Sequence, residues 1–359
     1  MSAPADSIHD PANDFLRPMI ETLRRHPKRI VFPSGLDERV IRVAAELVRT
    51  QAIAPILLGS RTEIRALAAQ IGVSLEFVGI IDPVESSDFS FFCERYRRVE
   101  KARRRKVEDP AAVMAKPAYF AAMMVQYGYA DGIVGGNEGF PAAFFRSLLH
   151  LIRPQPGFTT ASSCLPIRLA SRPDLGFKGT LFLSDCALVP SPSTSQLATS
   201  AVLSARAAHL LCGEKPRVAM ISFSTRGSAR DASTLKVLAA MELAREQAKR
   251  LMVDMDIDGE LQLDAAMDPE SMQRKAPGSV LGGRANVLVF PDLNTAHVAF
   301  KMLEIAAGAE PYGQLVLGLA RPACQVSRVA RERTIFGAAL CTGMRSMAFR
   351  DLVNAEDFR

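Results

Sequence analysis

Short apolar runs alternate along the chain with stretches whose apolar residues recur every three or four positions. Within residues 1–28, a polar lead-in gives way to a helical pattern carrying Phe15, Met19, Ile20 and Leu23 on one side. Arg29-Ile-Val-Phe-Pro33 is then a short apolar run stopped by Pro33 and Gly35, which predicts a buried parallel strand entering a loop. A helical pattern follows at Val40, Ala44, Leu47 and Val48, then a strand at Ala54–Gly59 and a helix through Ile64, Leu67 and Ile71. Ala130–Gly136 predicts a strand ending in a glycine turn. Further strands are predicted at Gly179–Leu183, Arg217–Phe223 and Asn286–Pro291, and a long helix at Ser228–Met252. Such alternation predicts α/β architecture, with a parallel sheet covered on both faces. Neither a low-complexity linker nor an internal repeat interrupts it. Two lobes crossed by ordered segments are expected, with a cleft between them as the default ligand site.

Composition narrows the class. The 359 residues are 48% hydrophobic and 23% charged, which excludes a disordered or collagen-like chain. No window approaches the ~18 uninterrupted apolar residues of a membrane span, and the first residues lack a secretory pattern. A cytoplasmic protein without membrane contact is therefore expected. The six cysteines lie far apart without a C-x-x-C pair, and the five histidines show no metal-ligand spacing, which argues against a bound metal.

The net charge of +6 is largely local, since residues 94–109 hold eight basic and four acidic residues. Mixed-sign spacing there fits a solvated helix face first and an anion-binding edge second. Nucleic acid is not expected as a partner, because Phe91, Phe92 and Tyr96 are not spaced as a stacking platform.

Candidate chemistry gathers where predicted strands meet helices. Ser222–Ala229 puts hydroxyls, a glycine and an arginine ahead of the long helix. That makes Ser224 and Thr225 candidate phosphate contacts, or else members of an ordinary capped turn. Asp292 and Asn294 sit where the Asn286–Pro291 strand opens onto a crevice, unless they only cap the next helix. Lys275, with Gly278 and the Gly282-Gly283 pair, is placed on a rim upstream. A Walker loop, a G-x-G-x-x-G fingerprint and a G-x-S-x-G elbow are all absent.

Four ordered segments then extend this reading: Arg217–Ala229, Asp258–Ala266, Lys275-Ala-Pro277 and Ala285–Asn294. With Arg29–Pro33, Ser184-Asp-Cys-Ala187 and Ser327-Arg328, they closely resemble the phosphate acetyltransferase and phosphate butyryltransferase family. The resemblance implies an isocitrate/isopropylmalate-dehydrogenase-like fold of two α/β/α domains around a cleft. The first domain would be 1–156 plus 317–359, and the second, 157–316, would be inserted in it and form a homodimer. It also implies acyl exchange between coenzyme A and inorganic phosphate, with coenzyme A as substrate and no permanently bound cofactor. A carboxylate would deprotonate the thiol, and arginines would hold the phosphate.

On that pattern Arg328 and Arg146 are phosphate contacts, and Ser327 meets the thioester or thiol. The family's third arginine falls on Glu100, with Arg98 or Arg103 as shifted substitutes. Departures cluster in the loops. The family's S-G-A-x-x-T-T appears as Gly135-Gly-Asn-Glu-Gly-Phe-Pro141, its Pro-Val-Asn-Asp as Pro322-Ala-Cys-Gln325, and its Pro-Glu-Gly as Pro33-Ser-Gly35. Its general-base aspartate is Thr334, and Glu138 is a candidate replacement. An active, altered acyltransferase and a non-catalytic regulatory binder of acyl-coenzyme A or acyl phosphate are the two readings that result.

Overall fold

The computed structural model describes residue 8 and residues 13–353, with side chains through residue 348. The polar lead-in therefore lies largely outside the described residues. The chain divides into two units, Met1–Pro156 with Leu319–Arg359, and Gly157–Gly318.

In the first unit α1 (Leu16–Arg25) leads into β1 (Lys28–Phe32), α2 (Glu38–Arg49), β2 (Ile53–Leu58), α3 (Arg61–Gln70) and β3 (Gly79–Ile81). The chain continues through α4 (Phe89–Ala102), α5 (Pro110–Met114), α6 (Pro117–Gln126), β4 (Gly132–Gly135) and α7 (Pro141–Leu151). The apolar spacing accounts for these helices: α1 buries Leu16, Met19, Ile20 and Leu23, and α2 buries Val40, Ile41, Val43, Ala44 and Leu47.

The second unit contains β5 (Ser162–Arg168), β6 (Thr180–Ser184), α8 (Thr194–Cys212), β7 (Arg217–Ile221), α9 (Ala232–Arg250) and β8 (Asp256–Leu261). After it come α10 (Leu263–Met267), α11 (Pro269–Lys275), β9 (Val287–Val289), α12 (Leu293–Ala306), β10 (Glu310–Pro311) and β11 (Gln314–Leu317). The chain then returns to the first unit for β12 (Ala323–Gln325) and α13 (Glu332–Val353).

The first unit's strands run β3-β2-β1-β4-β12, every neighbouring pair parallel. Val31 pairs with both Ile56 and Ile133, so β1 is central, with chain order running outward on either side of it. In a parallel sheet such a reversal opens a crevice beyond the carboxyl ends of the strands. Helix α13 is lined almost continuously with buried residues, Ile335, Phe336, Ala338, Ala339, Leu340 and Cys341 among them. It lies so close to the sheet that a Cβ on Gly132 would stand 2.5 Å from Thr342 Cγ2.

The second unit corrects the expectation of a parallel sheet throughout. Strands β6, β9, β7 and β8 are parallel neighbours, but β5 is antiparallel to β6, β10 and β11. The cause is connection length. No helix separates β5 from β6; the chain turns back through residues 169–179, closed by Leu169 N–H to Gly179 O at 2.7 Å. Leu165, Ile167, Leu181, Leu183, Ala219 and Leu288 form the centre of this unit's core.

Candidate active site

Three loops of the first unit leave the carboxyl ends of β1, β4 and β12, and their side chains tie them together. Asp37 ends the loop after β1 and caps α2, accepting the Arg39 N–H at 2.9 Å. The Arg39 guanidinium grips the same carboxylate through two bonds, of 3.0 and 2.5 Å. It also reaches across the sheet, donating to the carbonyls of Arg328 at 2.8 Å and Ala330 at 2.9 Å. Asn137, after β4, donates to Asp37 Oδ2 at 2.7 Å. Burial pushes the Asp37 pKa up, but the bonds from Arg39 and Asn137 outweigh it and hold the carboxyl below its usual range.

The second tie is aromatic. The Arg328 guanidinium stands over the Phe140 ring at 5.6 Å from its centre. Arg328 is otherwise exposed, leaving its fork of donors open to an anion. Ser327 is half-buried, and its hydroxyl receives the Val329 N–H at 3.4 Å. Glu138 lies between Asn137 and Phe140 on an exposed stretch. Partial burial of the carboxylate raises its pKa, the Asp37 charge adds to the rise, and Ser34 and Arg39 counter it. Gly136 makes this approach feasible: its φ is +87°, and a Cβ there would sit 2.8 Å from Gln325 Cγ. Thr334, in the first turn of α13, is 7% exposed.

Arg146 projects from α7 and is exposed. Its charge opposes the rise that burial causes in the pKa of Tyr119. One turn further on, His150 Nε2 lies 2.6 Å from Glu100 Oε1, and Arg103 donates to the His150 carbonyl at 2.6 Å. Glu100 is 3% exposed, so the residue aligned with the family's third arginine is an internal partner of a histidine. In the basic run, Arg97 and Arg98 pair with Glu94, and Arg95 covers Phe91 and Tyr127.

The second unit gives its candidates definite partners. Ser224 is fully buried; its hydroxyl donates to Glu260 Oε1 at 2.8 Å and accepts the Ala229 N–H at 3.0 Å. Glu260 also takes the Gly227 N–H at 2.8 Å, so an internal carboxylate sits where the loop's amides converge. The Thr225 hydroxyl accepts the Gln262 N–H at 3.0 Å. These bonds give both hydroxyls a loop-holding role and leave neither directed at solvent. Arg226 pairs with buried Asp258 at 2.6 Å. Lys275 is tied to Asp264 at 2.5 Å and to Gln262 at 3.1 Å. Asp292 caps α12 through the Thr295 N–H at 2.9 Å, as the structural alternative had it, while Asn294 is exposed. Buried Asp185 accepts N–H groups of Ala187, Leu188 and Val189 at 2.9, 3.0 and 3.1 Å and a bond from the Ser163 hydroxyl.

Sequence reasoning missed Asp37, Arg39 and Asn137. Asp37 directly before a helical pattern signals a cap, but nothing local signals that Arg39 reaches a loop almost three hundred positions away. Among the described residues no cluster of His, Cys, Asp and Glu is arranged to hold a metal, and no helix is long and apolar enough to cross a membrane.

A parallel sheet whose carboxyl-end loops converge on an exposed arginine defines the class, an α/β protein with a polar crevice at the strand ends. The model of the phosphate acetyl/butaryl transferase family matches residues 14–343, and the chain belongs to that family. It is 36% identical over 332 residues to a phosphate acetyltransferase of Acetivibrio thermocellus, covering 92% of this chain and 98% of the relative. Among solved structures it is similar to a phosphotransacetylase from Streptococcus pyogenes, with a TM-score of 0.83 and 32% identity over 93% of this chain and 99% of the other. The EutD phosphotransacetylase from Staphylococcus aureus also superposes at a TM-score of 0.83, with 30% identity over 93% of this chain and 98% of the other.

Proposed function

We propose that the protein exchanges an acetyl-like acyl group between coenzyme A and inorganic phosphate. The observation that carries this reading is the Ser327–Arg328 loop, held by Arg39 at two carbonyls and leaving the Arg328 guanidinium open. A forked guanidinium matches two phosphate oxygens at once and stabilises charge that accumulates as phosphate departs. Arg146 is the second phosphate contact. Ser327 meets the thioester or thiol, whereas Ser224 and Thr225 brace the 222–229 loop internally and are not assigned to phosphate. Asn294, Lys275 and Asp292 are assigned to coenzyme A recognition.

In the acyl phosphate direction, the thiol loses its proton and sulfur attacks the carbonyl carbon. The carbon–oxygen bond to phosphate breaks, and monohydrogen phosphate leaves against the arginines. No resident cofactor enters this scheme. The related dehydrogenase-like arrangement, with Gly157–Gly318 as the inserted and dimer-forming unit, and a cytoplasmic location belong to the same proposal.

One observation favours a second reading, a regulatory protein that binds acyl-coenzyme A without turnover: Thr334 stands buried at the position of the family's aspartate. Thiol release from acetyl- and longer acyl-coenzyme A, with and without phosphate, separates the two. Phosphate-dependent release that disappears in Arg328→Ala supports exchange. Saturable coenzyme A binding without release, turned into release by Thr334→Asp, supports the regulatory reading instead.

A further inference from the structure

We propose that Glu138 is the general base of this protein, taking the thiol proton that Thr334 cannot accept. The inference rests on the acyl-exchange reading and adds a residue to it.

Placement comes first. Glu138 lies between two anchor points of the loop after β4, one on the loop after β1 and one on the loop after β12. On one side Asn137 binds Asp37, whose partner Arg39 holds the Arg328 and Ala330 carbonyls. On the other side the Phe140 ring lies under the Arg328 guanidinium at 5.6 Å. The Glu138 carboxylate, hydrogen-bonded to Ser34 and facing the charges of Asp37 and Arg39, thus belongs to the loop cluster that also carries the arginine assigned to phosphate. It is also open to solvent, which a group meeting an incoming thiol requires.

Availability comes second. The other carboxylates around these loops are engaged by cations. Asp37 is paired with Arg39, and Glu38 and Glu332 both pair with Arg42, at 3.0 and 3.5 Å. Glu138 makes no ion pair among the described residues. Partial burial and the Asp37 charge raise its affinity for a proton, in the direction that brings it nearer a thiol of pKa about 8.5. A threonine hydroxyl has no comparable proton affinity near neutral pH.

The step balances without another reactant. The thiol proton passes to a Glu138 carboxylate oxygen as the sulfur–carbon bond forms. It is then delivered to the departing phosphate oxygen, which leaves as monohydrogen phosphate. In the reverse direction the protonated carboxyl returns the proton to the thiolate.

The test compares wild type, Glu138→Gln and Glu138→Asp for coenzyme A acetylation by acetyl phosphate across pH 5–10, with calorimetric coenzyme A binding alongside. The expected result is a fall in kcat of about 10²–10⁴-fold in Glu138→Gln, with unchanged coenzyme A affinity. Its remaining rate should climb with pH as free thiolate accumulates, through an apparent pKa of about 8.5. Glu138→Asp should recover part of the wild-type rate and its pH profile. An unchanged kcat and pH profile in Glu138→Gln would overturn the assignment and leave acyl exchange standing. A wild type that binds coenzyme A but turns over with no acyl donor would overturn the exchange reading, and the role of Glu138 with it.

Discussion

Arg39 shows how one side chain can set the geometry of a site it does not enter. Its guanidinium satisfies a mostly buried carboxylate and two carbonyls of the Arg328 loop, work that needs a planar fork. Arg39→Ala strands the Asp37 charge and frees the loop. The expected stability loss is about 1–3 kcal/mol, and the expected fall in kcat/KM for phosphate is about 10²-fold, through misplacement of Arg328. Arg39→Lys should recover little of either, because an ammonium is a single point of charge. The pH dependence follows from the depressed Asp37 pKa. A carboxyl held below its unfolded value of about 3.9 stabilises the fold above that pH, and the contribution disappears as pH falls through the folded value. Denaturant midpoints of wild type and Arg39→Ala should therefore differ at neutral pH and draw together as acid protonates Asp37 in the folded state. A gap that persists in acid would mean that the carbonyl bonds, not the Asp37 pair, carry the effect.

At the scale of elements, helices α4 and α7 are clasped by the Glu100–His150 contact, with Tyr96 and Tyr119 rings edge-on to the imidazole at 5.8 and 6.2 Å. Because α7 also carries Arg146, the clasp bears on a proposed phosphate contact. Removing His150 leaves Glu100 buried without that partner, and removing Glu100 leaves a half-buried imidazole without its own, so Glu100→Ala and His150→Ala should each lower urea stability by about 1–3 kcal/mol. The double variant should lose less than the two single losses together. Additive losses would show that the two residues act independently. Burial and the neighbouring Glu100 and Glu108 charges push the Tyr96 pKa to about 12. Its neutral form thus favours the fold up to about pH 10, and that contribution fades between about pH 10 and 12. In Tyr96→Phe the steep alkaline loss of stability over that interval should flatten, which a series of denaturant midpoints would register.

These elements also mark how far sequence could be followed. Periodic burial made α1, α2 and the β1, β2 and β4 strands readable, because each repeats one local rule. Helix α9 begins at Ala232 and not at Ser228, since Arg226 and Gly227 take positive φ and Asp231 forms a capping box with Thr234. The short strand β12 and the antiparallel β5 escaped notice because their pairing depends on partners remote in sequence. The site divides in the same way. Motif and loop position single out Ser327, Arg328 and Glu138 as candidates, whereas the Asp37–Arg39–Asn137 tie exists only once three strands are aligned. Mixed-sign spacing predicts a solvated face for the basic run, but its Glu100 is buried against His150.

The whole molecule is threaded so that its first unit closes last. Strand β4 pairs with β12 through Ile133 and Ala323, and Gly157–Gly318 is made between them. Helix α13 then packs against α1, α2 and the sheet, with Gly343 so close that a Cβ would lie 2.7 Å from Ile53 Cδ1. Without β12 and α13, β4 becomes an open edge, and the apolar faces of α1 and α2 lose the helix that covers them. A chain ending at Gly318 should thus lose the first unit's cooperative structure, while β5–β9 keep the core centred on Leu165, Leu183 and Leu288. Hydrogen exchange would read this by segment. Amides of β1 and β4 should exchange within the time of mixing in the shortened chain, and those of β6 and β7 should stay protected. Protection of β1 and β4 equal to that of the full chain would mean that α13 covers a core already formed without it. Contacts this distant in sequence carry a large loop-closure entropy, so they should also be the slowest to form. Pulse-labelled refolding of the full chain should accordingly protect β6 and β7 before β4, and the opposite order would place the nucleus in the first unit.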